Sequence, residues 1–170
     1  MSSNPDDLER VRRLFREHVP EIASGTVEIR GLVRQPGKLS ILAVFSKDPK
    51  VDPVGACVGH RGSRVKSILA RLDGEFIDIY RWNESPELFI RDVMDPSTVV
   101  RTSFDEVTRQ VTVTSVPDAD LTPDQLELRS KLELRSRLVL QSRLILQMTG
   151  WKLKVVPPGE DDGQAEAVPA

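Results

Sequence analysis

Three of the ten glycines stand at 55, 59 and 62, and the last two enclose His60 and Arg61 in a Gly-x-x-Gly loop. Glycine at both ends removes Cβ atoms, permits positive φ and lets a sugar-phosphate chain come close to the main chain. Arg61, Arg64, Lys66 and Arg71 follow with no acid among them, so residues 59–71 carry a charge of +4. A helix starting near Ser63 would add free amides and a partial positive charge to the same spot. Together these groups suit phosphate. The plainer alternative is a helix–turn–helix corner whose glycines only make the bend and whose cations coat a solvated face.

The flanking residues predict what must hold that loop. Asp52-Pro53 opens a short, buried helix through Val58 by capping side chain and Pro at the first position. After the loop, Val65, Ile68, Leu69 and Leu72 make one apolar helical stripe, Gly74 ends it, and Phe76 to Trp82 reads as a strand. Upstream, Asn4-Pro5-Asp6-Asp7 starts a helix to about His18, which Pro20 closes. Val27 to Arg34 and Leu39 to Ser46 are β-rich runs joined by Gln35-Pro36-Gly37-Lys38, a hairpin signal. A second half repeats the plan: a helix from Ser85-Pro86 to Asp95-Pro96, strands at Val99 to Phe104 and Val107 to Val116 with Asp105-Glu106 at the turn, a Leu-rich run, and a strand from Trp151 to Val156. From Pro157 onward the small, acidic and Pro/Gly residues predict a disordered tail.

Composition bounds the rest. The 170 residues amount to one average domain or two small ones, and 39% apolar with 29% charged residues can bury a core. Aromatics are only 5%, so that core must be built from Val, Leu and Ile. No stretch approaches the roughly 18 apolar residues of a membrane span, and the N-terminus lacks a basic-then-apolar layout. The expectation is a cytoplasmic chain with no membrane partner. The single cysteine, Cys57, cannot form an internal disulfide and is expected to be a buried small hydrophobe. Two histidines are thin material for a metal site. With no nucleophile–base pair and no ligand cluster, no catalytic residue, metal or cofactor is expected, and an enzyme is not. The net charge of −2 hides an asymmetry: six acids and no base lie in residues 1–7 and 157–170, so residues 8–156 stand at +4. Screening acts within about 10 Å, so the local patch matters more than the sum.

The string VDPVGACVGHRGSRVKSILARLDGEFIDIYRW, residues 51–82, resembles the first KH domain of the transcription factor NusA. VPEI (Val19 to Ile22) and VEIRGLVRQPGKLSILAV are similar too, and TGWKLKV (Thr149 to Val155) resembles the end of that family's second KH domain. The resemblance covers roughly residues 18–156. It implies an α+β chain of tandem type II KH domains, each a three-stranded sheet backed by helices. The expected layout is an N-terminal helix at 1–17, a first KH domain at 18–84, a second at 85–156, and the tail at 157–170. By position it implies that Gly59, His60, Arg61 and Gly62 clamp single-stranded RNA, that Val54, Val58, Val65 and Ile68 line or support a base groove, and that Arg64 and Lys66 contact phosphates. It also implies a place beside RNA polymerase.

The second half departs from the family. No glycine lies between Gly74 and Gly150, so a second Gly-x-x-Gly loop, due near Ser136 to Val139 counting back from Trp151 or about ten residues earlier counting forward from Pro117, is absent, and the second KH domain is degenerate and its segment lengthened. In its place Leu126 to Gln147 repeats every six residues: LELRSK, LELRSR, LVLQSR, LILQ. Its leucines alternate with period two, as in a strand, while its composition favours helix; helix is the reading preferred. The functional expectation is a NusA-like RNA-binding factor that modulates elongation, termination or antitermination. The alternatives are a KH adaptor in ribosomal RNA processing or RNA chaperoning, with ribosomal components as partners, and a protein-interaction module whose RNA binding is vestigial.

Overall fold

The computed structural model describes residues 4–94, 99–115, 122–123 and 133–157. The expected tail beyond Pro157 and the first hexamer, at 126–131, lie outside them. The first unit runs α1 (Pro5–His18), α2 (Pro20–Ala23), β1 (Val27–Gln35), β2 (Leu39–Ser46), α3 (Pro53–Val58), α4 (Ser63–Leu69) and β3 (Phe76–Arg81). The second runs α5 (Pro86–Val93), β4 (Val99–Asp105), β5 (Gln110–Ser115), α6 (Glu133–Thr149) and β6 (Lys152–Val156).

The helix starts follow local chemistry. The side chains of Asn4, Asp52 and Ser85 accept from the amides of Asp6, Val54 and Leu88, each with Pro next in line. Pro20 does more than close α1. It stands first in the single turn of α2, because its fixed φ suits a helix start as well as it ends the preceding helix. α4 is shorter than its apolar stripe suggests: the chain leaves the helix after Leu69 and reaches β3 through turns with Asp73 and Gly74 at positive φ.

Each unit builds one mixed sheet with the same pairing. β1 lies antiparallel to β2 and β2 parallel to β3; β4 lies antiparallel to β5 and β5 parallel to β6. The first pair is a hairpin turned at Gly37 (φ 75°), and the parallel pair needs the α3–α4 crossover. The fold is α+β, two small three-stranded sheets backed by helices, with the topology of tandem type II KH domains. β5 starts later than its apolar run suggests. Asp105 Oδ1 accepts from the amides of Val107 and Thr108, which extends the turn to Arg109; the Thr108 side chain first, and then these amides, hold its carboxyl below the usual range.

β2 explains why Leu39 to Phe45 is apolar almost without break. Leu42 and Val44 face α1, α3 and α4, in a cluster with Val11, Leu14, Phe15, Cys57 and Ile68. Leu39, Ile41 and Ala43 face the other way and share a second cluster with Phe89, Val111, Leu140, Leu144 and Trp151. A sheet buried on both faces loses the polar alternation of a half-exposed one. The first sheet is thus the wall between the two cores.

α6 resolves the conflict in the hexamer repeat. It is one unbroken helix that buries Leu140, Leu144 and Ile145 while Val139 and Leu146 stay exposed. A six-residue period cannot keep every leucine on one face of a 3.6-residue helix. α6 rides close over β1 at Gly31, where a Cβ would stand 2.9 Å from Leu144 Cδ1.

Candidate nucleic-acid interface

α3 and α4 meet at a sharp corner. α3 ends as the Gly59 amide donates to the Gly55 carbonyl at 2.9 Å, and Gly59 takes φ 77°, ψ 174°. A single 3-10 turn, His60–Gly62, follows, with Arg61 at φ 54° and Gly62 at φ 74°. Three positive φ values within four residues need glycine at two of them. The third falls on Arg61, a side chain held in a region that costs about 1–3 kcal/mol and gathers at functional sites.

The two glycines differ. A Cβ on Gly62 would find its nearest neighbour, Lys66 Cε, at 3.6 Å, so the main chain there is open. A Cβ on Gly59 would meet Arg64 Cγ at 2.6 Å. Gly62 faces outward, whereas Gly59, at the end of α3, is packed against Arg64 of α4.

The expected site residues come together with unequal roles. His60, Arg61 and Lys66 are exposed, and no described ion pair engages Arg61 or Lys66. Val54, Val58 and Val65 are half-buried beside them, and Ile68 is fully buried, supporting the surface from inside the core. Arg64 is occupied: its NH1 donates to the Ala56 carbonyl at 2.7 Å and to Glu21 Oε2 at 2.9 Å. Beneath the loop, burial pushes the Cys57 thiol up to about 12, with the Glu21 charge adding to it.

Two contributions escaped sequence reasoning. Ile77 and Ile79 of the edge strand β3 are half-buried against the same core as Val54, so β3 supplies the wall opposite the helices. Their alternation with Asp78 and Tyr80 was the available signal. Glu21 had none, since its partner lies 43 residues away.

Among the described residues the second unit shows no such corner. Ser136 to Val139, where the family's second loop would fall, lies within the continuous helix α6, which ends only at Gly150 (φ 76°). Trp151 precedes β6 and is 4% exposed, edge-on to Phe104 at 5.0 Å with Arg109 over its ring, so it serves the core. Trp82 is half-buried, edge-on to Phe45, and Arg30 lies over both rings. Among the described residues, no group of three or more His, Cys, Asp or Glu could hold a metal ion, and no helix is long and apolar enough to cross a membrane.

The corner of open glycine and unpaired cations beside half-buried valines lies within residues 6–82, which match the family model of the NusA-like first KH domain. This chain carries a NusA-like KH region. The "Transcription termination/antitermination protein NusA" of Halalkalibacterium halodurans is 45% identical over 112 residues, that of Thermus thermophilus 40% over 108, and that of Bacillus subtilis 43% over 112. These stretches cover 66%, 64% and 66% of this chain but 29%, 28% and 30% of the relatives, so the NusA-like match spans under a third of their length. The crystal structure of APE1850 has a similar fold, with a TM-score of 0.56 over 91% of this chain and 99% of that one at 16% identity.

Proposed function

We propose that the protein is a single-stranded RNA-binding factor of the NusA kind, which engages nascent transcripts through the corner at Gly59–Gly62 and modulates elongation, termination or antitermination. The observation that carries this reading is the open main chain at Gly62 beside the unpaired side chains of Arg61 and Lys66. The mechanism is binding, with no covalent step. The backbone of the RNA lies over Gly62, where no Cβ keeps it away, and Arg61 and Lys66 neutralise its phosphates. Val54, Val58 and Val65 form an apolar floor for about four bases, read by their Watson–Crick edges as in other KH domains. With the second corner replaced by α6, one unit does the gripping. RNA polymerase is the protein partner that this reading implies.

Gly62→Asp tests the site. The open space accepts the side chain at the strain of a positive φ, about 1–2 kcal/mol, so folding stays largely intact, while a carboxylate faces the phosphates and binding of a labelled single-stranded RNA is lost. Equal affinity of variant and wild type refutes the reading. Wild-type binding also weakens with salt, with a log–log slope of about −0.7 per phosphate engaged. Crosslinking in cells separates the biological settings: nascent transcripts support the transcription role, and ribosomal precursors move the protein to RNA processing.

A further inference from the structure

We propose that Glu21 and Arg64 are positioning residues of the loop, with Arg64 holding the corner from within instead of gripping phosphate; this rests on the RNA-binding reading above. Arg64 touches the corner twice. Its stem fills the space over Gly59, with Cβ, Cγ and Cδ all 2.6–3.0 Å from where a Cβ on that glycine would be. Its NH1 donates to the Ala56 carbonyl, in the last turn of α3, where a cation also meets the negative end of the helix. Glu21, from the separate helix α2, takes the same NH1 at 2.9 Å and fixes the guanidinium over that carbonyl. Both side chains are about one-third exposed, at 32% each, so the ion pair alone is worth little in stability. Its consequence is geometric: α2, α3 and α4 are tied at one point directly behind the two left-handed residues.

The sign of one substitution separates this from simple electrostatics. A carboxylate close to a phosphate track repels RNA, so by charge alone Glu21→Gln tightens binding. If Glu21 positions the loop, the same change weakens binding. The full chain and its Glu21→Gln, Arg64→Gln and Lys66→Gln variants are titrated with labelled single-stranded RNA over a range of salt. Lys66→Gln lowers the salt slope by about 0.7, as the loss of one phosphate contact requires. Glu21→Gln and Arg64→Gln each weaken binding roughly tenfold, the worth of one charge-assisted hydrogen bond, at every salt and with the wild-type slope. Tighter or unchanged binding by Glu21→Gln, or a slope lowered by Arg64→Gln, overturns the proposal. Should the wild type bind no RNA, the RNA reading fails by itself. The positioning role is then decided by amide hydrogen exchange at residues 59–62, which Glu21→Gln accelerates if the proposal holds and leaves unchanged if it does not.

Discussion

Arg34 and Glu75 face each other inside the first unit as a two-pronged pair, Nε to Oε1 at 2.8 Å and NH2 to Oε2 at 2.9 Å. Ser40 Oγ and the Gly37 amide donate to the same carboxylate at 2.6 and 3.2 Å, while Arg34 NH1 donates to the Asp7 carbonyl at 2.9 Å. One buried group therefore joins the start of α1, the hairpin turn, β2 and the entry to β3. Burial pushes the Glu75 carboxyl up, but the bonds from Arg34 and Ser40 outweigh it and hold the group below its usual range.

That direction sets a pH dependence. Glu75 has a lower pKa folded than unfolded, so it supports the fold fully above the unfolded value of 4.5 and loses that support as pH falls through the lower folded value. Glu75→Gln removes the buried carboxylate that holds Arg34 by two prongs and leaves it the ion pair with Asp7 at 3.6 Å; the change is expected to cost about 3 kcal/mol at neutral pH. The gap between variant and wild type narrows below about pH 4.5. Urea unfolding at neutral and acid pH measures both.

Gly59 and Gly62 are expected to differ under the same substitution. Gly62 is left-handed at φ 74°, ψ 15°, where alanine costs about 1–2 kcal/mol, and Gly59, at φ 77°, ψ 174°, occupies a region almost closed to other residues, where it costs about 1–3 kcal/mol. Only at Gly59 must it also displace Arg64. Gly59→Ala therefore melts at a lower temperature than Gly62→Ala in a calorimetric comparison.

The shared core predicts joint unfolding. Leu144 is fully buried in a cluster that holds residues of both sheets, so Leu144→Ala is expected to cost about 2–5 kcal/mol. The two units should also unfold in one transition. Trp82→Phe and Trp151→Phe each leave a single tryptophan reporting on one unit, and the two fluorescence curves against denaturant are expected to coincide.

Cys57 is expected to be inert in the folded protein. Its thiol is buried and pushed up to about 12, first by burial and then by the Glu21 charge, and the thiol form is a poor nucleophile. Native protein leaves a colorimetric thiol reagent unreacted at mildly alkaline pH. Unfolding in guanidinium releases the colour of the single cysteine.

Much of the scaffold was legible because its causes are local. Asn4-Pro5, Asp52-Pro53 and Ser85-Pro86 place helix starts through one side chain and the next few amides, and Pro36-Gly37 turns the hairpin in the same way. The Gly59–Gly62 corner was legible too, since positive φ leaves its mark in residue type. Where readings missed, the deciding neighbour was distant. The stripe through Leu72 suggested a longer α4, yet the chain turns after Leu69 to bring Glu75 under Arg34, 41 residues earlier. The hexamer of α6 carried two periods, and only the sheet beneath it chose which leucines to bury.

Backbone chemistry within a few residues was enough to dictate the order of helices and strands, the repeated plan of the two halves and the bare corner between α3 and α4. Packing in three dimensions decided the rest: β2 became a wall between two cores, α6 closed over Gly31, and Arg64 turned inward to Ala56 and Glu21. These outcomes depend on pairs tens of residues apart, whose meeting is governed by how whole elements bury their apolar faces, and no short stretch of chain encodes that.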